Sequence, residues 1–266
     1  MMSSELEQLS PNVEILYRYA KGPVLLLCEH ASCHIPECYH GLGLDPAHRR
    51  SHAAWDPGAR DVAIALSGLL NAPLVASRIS RLVYDCNRPP EAASAMPERS
   101  EIVEVPGNRG LTSAQRAARV EAVYEPFCKA VTQVLAQRKA HDIPTVLITV
   151  HSFTPTFHGR VRKVEIGILH DADRRLADAM LANAHRLAHR RIQRNAPYGP
   201  QDGVTHSLVR HGIDNGLANV MIEIRNDLLA TPEDVHSMAR ELMQLIQPAL
   251  TALGVELAHR GGKHDA

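Results

Sequence analysis

Short apolar runs alternating with longer segments of helical periodicity constrain this chain more than any other feature. The runs cover Val24–Cys28 and residues 74–76, 82–84, 145–150, 164–169 and 220–224, none longer than six residues. Strands this short and this continuously apolar suit a mostly parallel sheet buried under helices on its faces, which makes the chain α/β. Thr145, Val146, Ile148 and Val150 carry the β-branched signature most clearly.

The intervening segments read as helices. Asp56 followed by Pro57 predicts an N-cap and first turn for a helix reaching about Leu70, with Val62, Leu66 and Leu69 on one face. A longer helix is expected over 113–139 with a kink at Pro126, a third over 171–190, and a fourth opening at the "TPED" of 231–234. Two irregular connections, 88–111 and 195–216, are long enough to act as lids or binding loops. With 45% hydrophobic residues in 266, one domain over 23–256 can bury its own core, leaving an extension at 1–22 and a mobile tail at 257–266.

Charge and cysteine usage remove whole classes of function. Twenty-nine basic residues balance 29 acidic ones, so no broad basic field exists to attract nucleic acid. The first apolar run is far too short for a signal peptide or a membrane span. Five cysteines, none in a C-x-x-C pair, fit a reduced cytoplasmic setting and packing roles. The amphipathic helices are explained by packing on the sheet, so oligomeric state stays open.

Several polar residues fall at the carboxyl ends of the expected strands: Glu29 and His30, residues 85–88, His151 and Ser152, His170 and Asp171, and residues 223–227. Ligands of open α/β sheets bind along that edge. His30 and His151 can converge on one metal ion, or each can simply cap its strand. Asp56 is the best carboxylate for a third ligand, although its role as a helix cap competes. Arg88 offers a planar fork for a carboxylate and Asn87 an amide for a carbonyl, against the plainer reading of a surface ion pair and a turn. Glu223 and Arg225 share one face of a strand whose other face is Val220, Ile222 and Ile224. They form either a structural pair or a site whose base is Glu223. Ser152 lacks a G-x-S-x-G elbow, which weakens a serine-hydrolase reading.

The segments "EHASCHIP", "HAAWDPGA", "SRLVYDCNRP", "HSF" and "EIRNDLL", in this order, resemble the N-formylglutamate amidohydrolase family over residues 24 to about 230. The resemblance implies kinship with the zinc carboxypeptidases and aspartoacylases: a three-layer α/β/α sandwich with a mixed, mostly parallel sheet and a divalent metal, Zn²⁺, at its carboxyl edge. By similarity His30 and His151 become metal ligands, Asn87 and Arg88 grip substrate, and Glu223 is the base. Cys33 stands where carboxypeptidase-like sites carry a glutamate, so the third ligand is Asp56 by preference, with Glu29 and Cys33 as alternatives. Arg81, Arg225 and His206 are further candidates for carboxylate binding or proton transfer. The expected activity is hydrolysis of N-formyl-L-glutamate to formate and L-glutamate, with a small N-acyl amino acid as the substrate. The competing readings are a hydrolase of another N-acyl amino acid or small peptide, and a relative that binds such a ligand without catalysis.

Overall fold

The computed structural model describes residues 10–256. A seven-stranded mixed sheet is built from β1 (Val13–Leu16), β2 (Val24–Cys28), β3 (Leu74–Ser77), β4 (Val146–Phe153), β5 (Ile166–Leu169), β6 (Ile192–Arg194) and β7 (Asn219–Arg225), in the order β1-β3-β2-β4-β7-β5-β6. Strands β3, β2, β4 and β7 run parallel, as do β5 and β6, while β1 against β3 and β7 against β5 are antiparallel. The central strands β2, β4 and β7 are buried almost throughout.

Alternation along the strands divides the core between two faces. Leu26, Ile148 and Ile222 pack with helices α2 (Ala59–Leu70), α5 (Arg175–Ala182) and α6 (Pro232–Ala252), preceded in the chain by the one-turn α1 (Pro46–Arg50). Leu25, Leu27, Val75 and Leu147 pack on the other face with α4 (Glu125–Ala140), which follows the short α3 (Ser113–Arg119). The result is an α/β sandwich of three layers. Among the described residues no helix is long and apolar enough to cross a membrane.

The structure corrects several expectations. Residues 82–84 form a turn rather than a strand, with Val83 N–H donating to the Ser80 carbonyl at 2.9 Å. Leu82, Val83 and Tyr84 are apolar because they plug the core from a loop. The short strands β1 and β6 were not anticipated, and β1 lies ahead of the expected domain start. The long helix divides at a π-type turn, Val120–Tyr124, just before Pro126. Proline has no N–H for the Ala122 carbonyl four residues back, and the Asn12 side-chain amide donates to that carbonyl instead, at 2.8 Å. The third helix is only Arg175–Ala182, followed by a 3-10 turn. The fourth opens as expected: the Thr231 hydroxyl accepts from Asp234 N–H and the Asp234 carboxylate accepts from Thr231 N–H, each at 3.1 Å. The tail at 257–266 lies outside the described residues.

Candidate metal centre

Three elements deliver three ligand-type side chains to one point at the carboxyl edge of the sheet. His30 follows the last residue of β2 by two positions, His151 is the sixth residue of β4, and Asp56 sits in the loop entering α2. The loop is tied to the strand by a backbone bond from Asp56 N–H to the His30 carbonyl, 3.0 Å long. His30 Nδ1, His151 Nδ1 and Asp56 Oδ2 form a buried triangle with edges of 3.2, 2.9 and 3.2 Å. Donors bound at about 2.0–2.1 Å to one tetrahedral ion stand about 3.3 Å apart, so this triangle has the dimensions of a zinc-type site. Two ring nitrogens 3.2 Å apart cannot both donate along their common line, whereas a cation in front of them satisfies both. His30, Asp56 and His151 can therefore coordinate a metal ion.

Each of these donors is braced from behind. His30 Nε2 lies 2.7 Å from Asp85 Oδ1, and His151 Nε2 lies 3.2 Å from Glu29 Oε2. The Asp85 hydrogen bond on the distal nitrogen fixes the His30 ring and its tautomer, the usual support of a metal-binding imidazole, whereas Glu29 faces His151 Nε2 as a buried opposite charge without a hydrogen bond. The second oxygen of Asp56 accepts from Arg81 Nη1 at 3.1 Å, while Arg81 also donates to the carbonyls of Ala53 and His52.

Asp56 does not cap α2 with its side chain as expected. The cap is Gly58, whose φ of +80° belongs to the left-handed region, and the Asp56 carboxylate is left free for the triangle. A Cβ on Gly58 would come within 2.6 Å of Leu229 Cβ. Gly58→Ala should thus cost about 1–3 kcal/mol through backbone strain and overlap. It should also displace Asp56, so thermal unfolding and metal titration are both expected to shift in that variant.

The electrostatics follow from burial among opposite charges. Burial alone would lower the His151 pKa, but Glu29 and Asp56 overcome it and raise the imidazole well above its ordinary value. His30 behaves likewise: burial lowers it, and Asp85 and Asp56 raise it further than that. Asp56 and Asp85 are held well below the usual carboxylate range, since burial is outweighed by His30 and by arginine charge. Glu223 moves the other way. Burial pushes it up to about 7, with Asp56 adding to the rise and His151 opposing it.

A cleft of about 240 Å³ opens onto the triangle. Glu223 lines it, opposite His151 in the β4–β7 register, and its Oε2 is buried without a hydrogen-bond partner. Arg81, Asn87 and Arg88 also line it. The Asn87 amide is occupied, donating to the Val204 carbonyl at 2.6 Å and accepting from Ser207 N–H at 2.9 Å, so it pins the 204–207 loop to the cleft wall. Arg225 does not pair with Glu223: it joins Asp227 at 2.7 Å and lies 3.7 Å from Glu165, outside the cleft lining. His206 is also outside it, hydrogen-bonded to the Tyr124 hydroxyl at 2.8 Å. Burial and Arg210 lower its pKa. Glu29 stands behind the His151 ring, and Cys33 lines a separate surface hollow with His34 and Arg49. Ser152 is turned to the Pro57 carbonyl at 2.7 Å.

Sequence reasoning passed over two contributors. In the sequence Asp85 is only one of a group at a strand end, because its partner His30 lies 55 residues earlier in the chain. Tyr198, which lines the cleft from the second long connection, gave no signal beyond being aromatic in a loop.

A braced donor triangle opening on a cleft that contains a buried, unpartnered carboxylate defines a metal-dependent hydrolase of the α/β class. The chain belongs to the N-formylglutamate amidohydrolase family, whose model matches residues 22–230. A gene product of Agrobacterium tumefaciens of known crystal structure is 54% identical, with a TM-score of 0.89 over 91% of this chain and 96% of its own. An N-formylglutamate amidohydrolase from Ralstonia eutropha shares the fold at 17% identity and a TM-score of 0.66, over 92% of this chain and 98% of its own. No curated protein matches the chain.

Proposed function

We propose that this protein hydrolyses N-formyl-L-glutamate to formate and L-glutamate. The observation that carries the reading is the His30–Asp56–His151 triangle, braced by Asp85 and Glu29 and faced by Glu223 across one cleft. Family membership supplies the substrate class. Kinship with the zinc carboxypeptidases and aspartoacylases is part of the same proposal, supported by the position of the triangle at the carboxyl edge of a mixed sheet.

His30 Nδ1, Asp56 Oδ2 and His151 Nδ1 would hold a divalent ion, Zn²⁺ by its affinity for two imidazoles and a carboxylate. When bound, such an ion polarises a carbonyl and makes a neighbouring water more acidic. Glu223 is then the group that takes the water's proton and returns it to the leaving amine, because its carboxyl is buried, faces the cleft and has a pKa near the working pH. Arg88 holds the substrate carboxylate: its Nη1 donates to the Asn87 carbonyl at 3.0 Å, which fixes the fork at the cleft wall. Arg81 orients Asp56 rather than gripping substrate. The five free cysteines suit a reducing, cytoplasmic setting.

The test is formate release from N-formyl-L-glutamate by protein of known metal content, beside N-acetyl-L-glutamate and N-formyl amino acids that lack the side-chain carboxylate. Absence of formate release from N-formyl-L-glutamate overturns the reading. Arg88→Ala should raise KM about 10–100-fold with a smaller change in kcat, the size of one lost charge-assisted contact. Lysine at 88 should recover only part of the loss, since it cannot form the planar fork.

A further inference from the structure

One group in the cleft has no part in the chemistry above. Tyr198 comes from the connection between β6 and β7, and its ring packs on Leu169, Leu208 and Met221. Its hydroxyl lies 2.7 Å from Arg162 Nη2. Arg162 is itself immobilised by aromatic faces, its guanidinium carbon lying 4.3 Å from the Phe157 ring centre, 4.8 Å from Tyr198 and 5.5 Å from Phe153. Arg162 lies behind this wall, while Phe153, Phe157 and Tyr198 line the cleft.

An arginine has donors only, so the phenolic oxygen must accept from Arg162 and its own proton must point away. Burial raises the Tyr198 pKa, with Glu223 adding to the rise and Arg162 opposing it, so the phenol keeps that proton at neutral pH. Glu223 Oε2 has no hydrogen-bond partner among the described residues and so does not take it. The arrangement is a fixed O–H donor, polarised by an adjacent cation, on the wall of the cleft that also contains Glu223 and His151.

Building on the amidohydrolase reading, we propose that Tyr198 donates a hydrogen bond to the substrate's acyl oxygen as negative charge develops on it. Arg162 is the positioning residue that holds the phenol and turns its proton into the cleft. A preorganised donor aimed at a developing oxyanion acts on kcat more than on KM.

The experiment measures kcat and KM for formate release by wild type, Tyr198→Phe, Arg162→Met, Arg162→Lys and the Tyr198→Phe/Arg162→Met double variant. Metal content and thermal unfolding are recorded for each. Tyr198→Phe removes one oxygen and leaves the ring packing intact, so it should fold and bind metal as wild type does. Its kcat should fall about 10–100-fold with KM nearly unchanged, below the usual effect of an oxyanion donor because the ion shares the charge. Arg162→Met should lower kcat by less, and the double variant should be no slower than Tyr198→Phe alone. Arg162→Lys, which keeps a cationic donor, should recover most of the rate.

A Tyr198→Phe enzyme within twofold of wild-type kcat overturns the inference. Losses that multiply in the double variant overturn the positioning role of Arg162. If Arg162→Met does not fold, Arg162→Lys and Tyr198→Phe decide the matter. A wild-type enzyme that releases no formate overturns the functional reading and this inference together; an active wild type matched by Tyr198→Phe overturns this inference alone.

Discussion

Glu223→Gln is expected to reduce kcat by about 10²–10⁴-fold while metal content stays at the wild-type level. The amide is nearly isosteric with the carboxyl, so the side chain should still fit its place in β7. It cannot accept a proton from water, however, so the proton transfer proposed for Glu223 is lost with it. Glu223 is not part of the donor triangle, so an ion held by His30, Asp56 and His151 should remain. Stability should change little or improve, because the wild-type carboxyl is buried with an unpartnered oxygen and resists ionisation up to about pH 7. Elemental analysis, thermal unfolding and formate release on the same preparation check all three. Full turnover in the glutamine variant would remove Glu223 from the mechanism, and loss of metal would make it a ligand instead.

The elements most legible in the sequence are those whose chemistry is local. Strands β2, β4 and β7 could be read because continuous apolar runs are unusual outside a buried sheet, and Thr231 with Asp234 could be read because a capping box lies within four residues. The convergence of His30 and His151 was legible for a related reason: each sits where a strand or its following turn meets the carboxyl edge, and parallel strands bring those edges together, while Asp56 reaches them from the loop entering α2. The failures are equally physical. Residues 82–84 look like a strand because burial, not extension, selects Leu82, Val83 and Tyr84. The two loop bonds of Asn87 could not be read from the sequence either, because Val204 and Ser207 fold back on it from more than a hundred residues away. Arg225 pairs with Asp227, two positions along, and a same-face argument could not choose between that partner and Glu223, which is equally near in the chain.

His151→Ala should abolish stoichiometric metal binding and with it measurable turnover, and the route to that outcome can be followed in protons. Without an ion, His151 lies between Glu29 and Asp56, which raise its pKa well above the ordinary value, and His30 is pulled the same way by Asp85 and Asp56. An ion can bind only to neutral imidazoles, so it must displace protons from Nδ1. Binding should therefore release protons. Affinity should weaken as the pH falls, since both folded-state pKa values are raised and acid favours the competing imidazolium forms. Calorimetric titration of metal into the metal-free protein, repeated in buffers of different ionisation enthalpy, measures the number directly. His151→Ala should leave no saturable site. Asp85→Asn should behave differently, retaining the ligands but weakening the ion about 10–100-fold, because an amide braces the His30 ring without the carboxylate charge. A His151→Ala protein that binds one ion as tightly as wild type, with the same proton release, would mean that the ion sits elsewhere in the cleft.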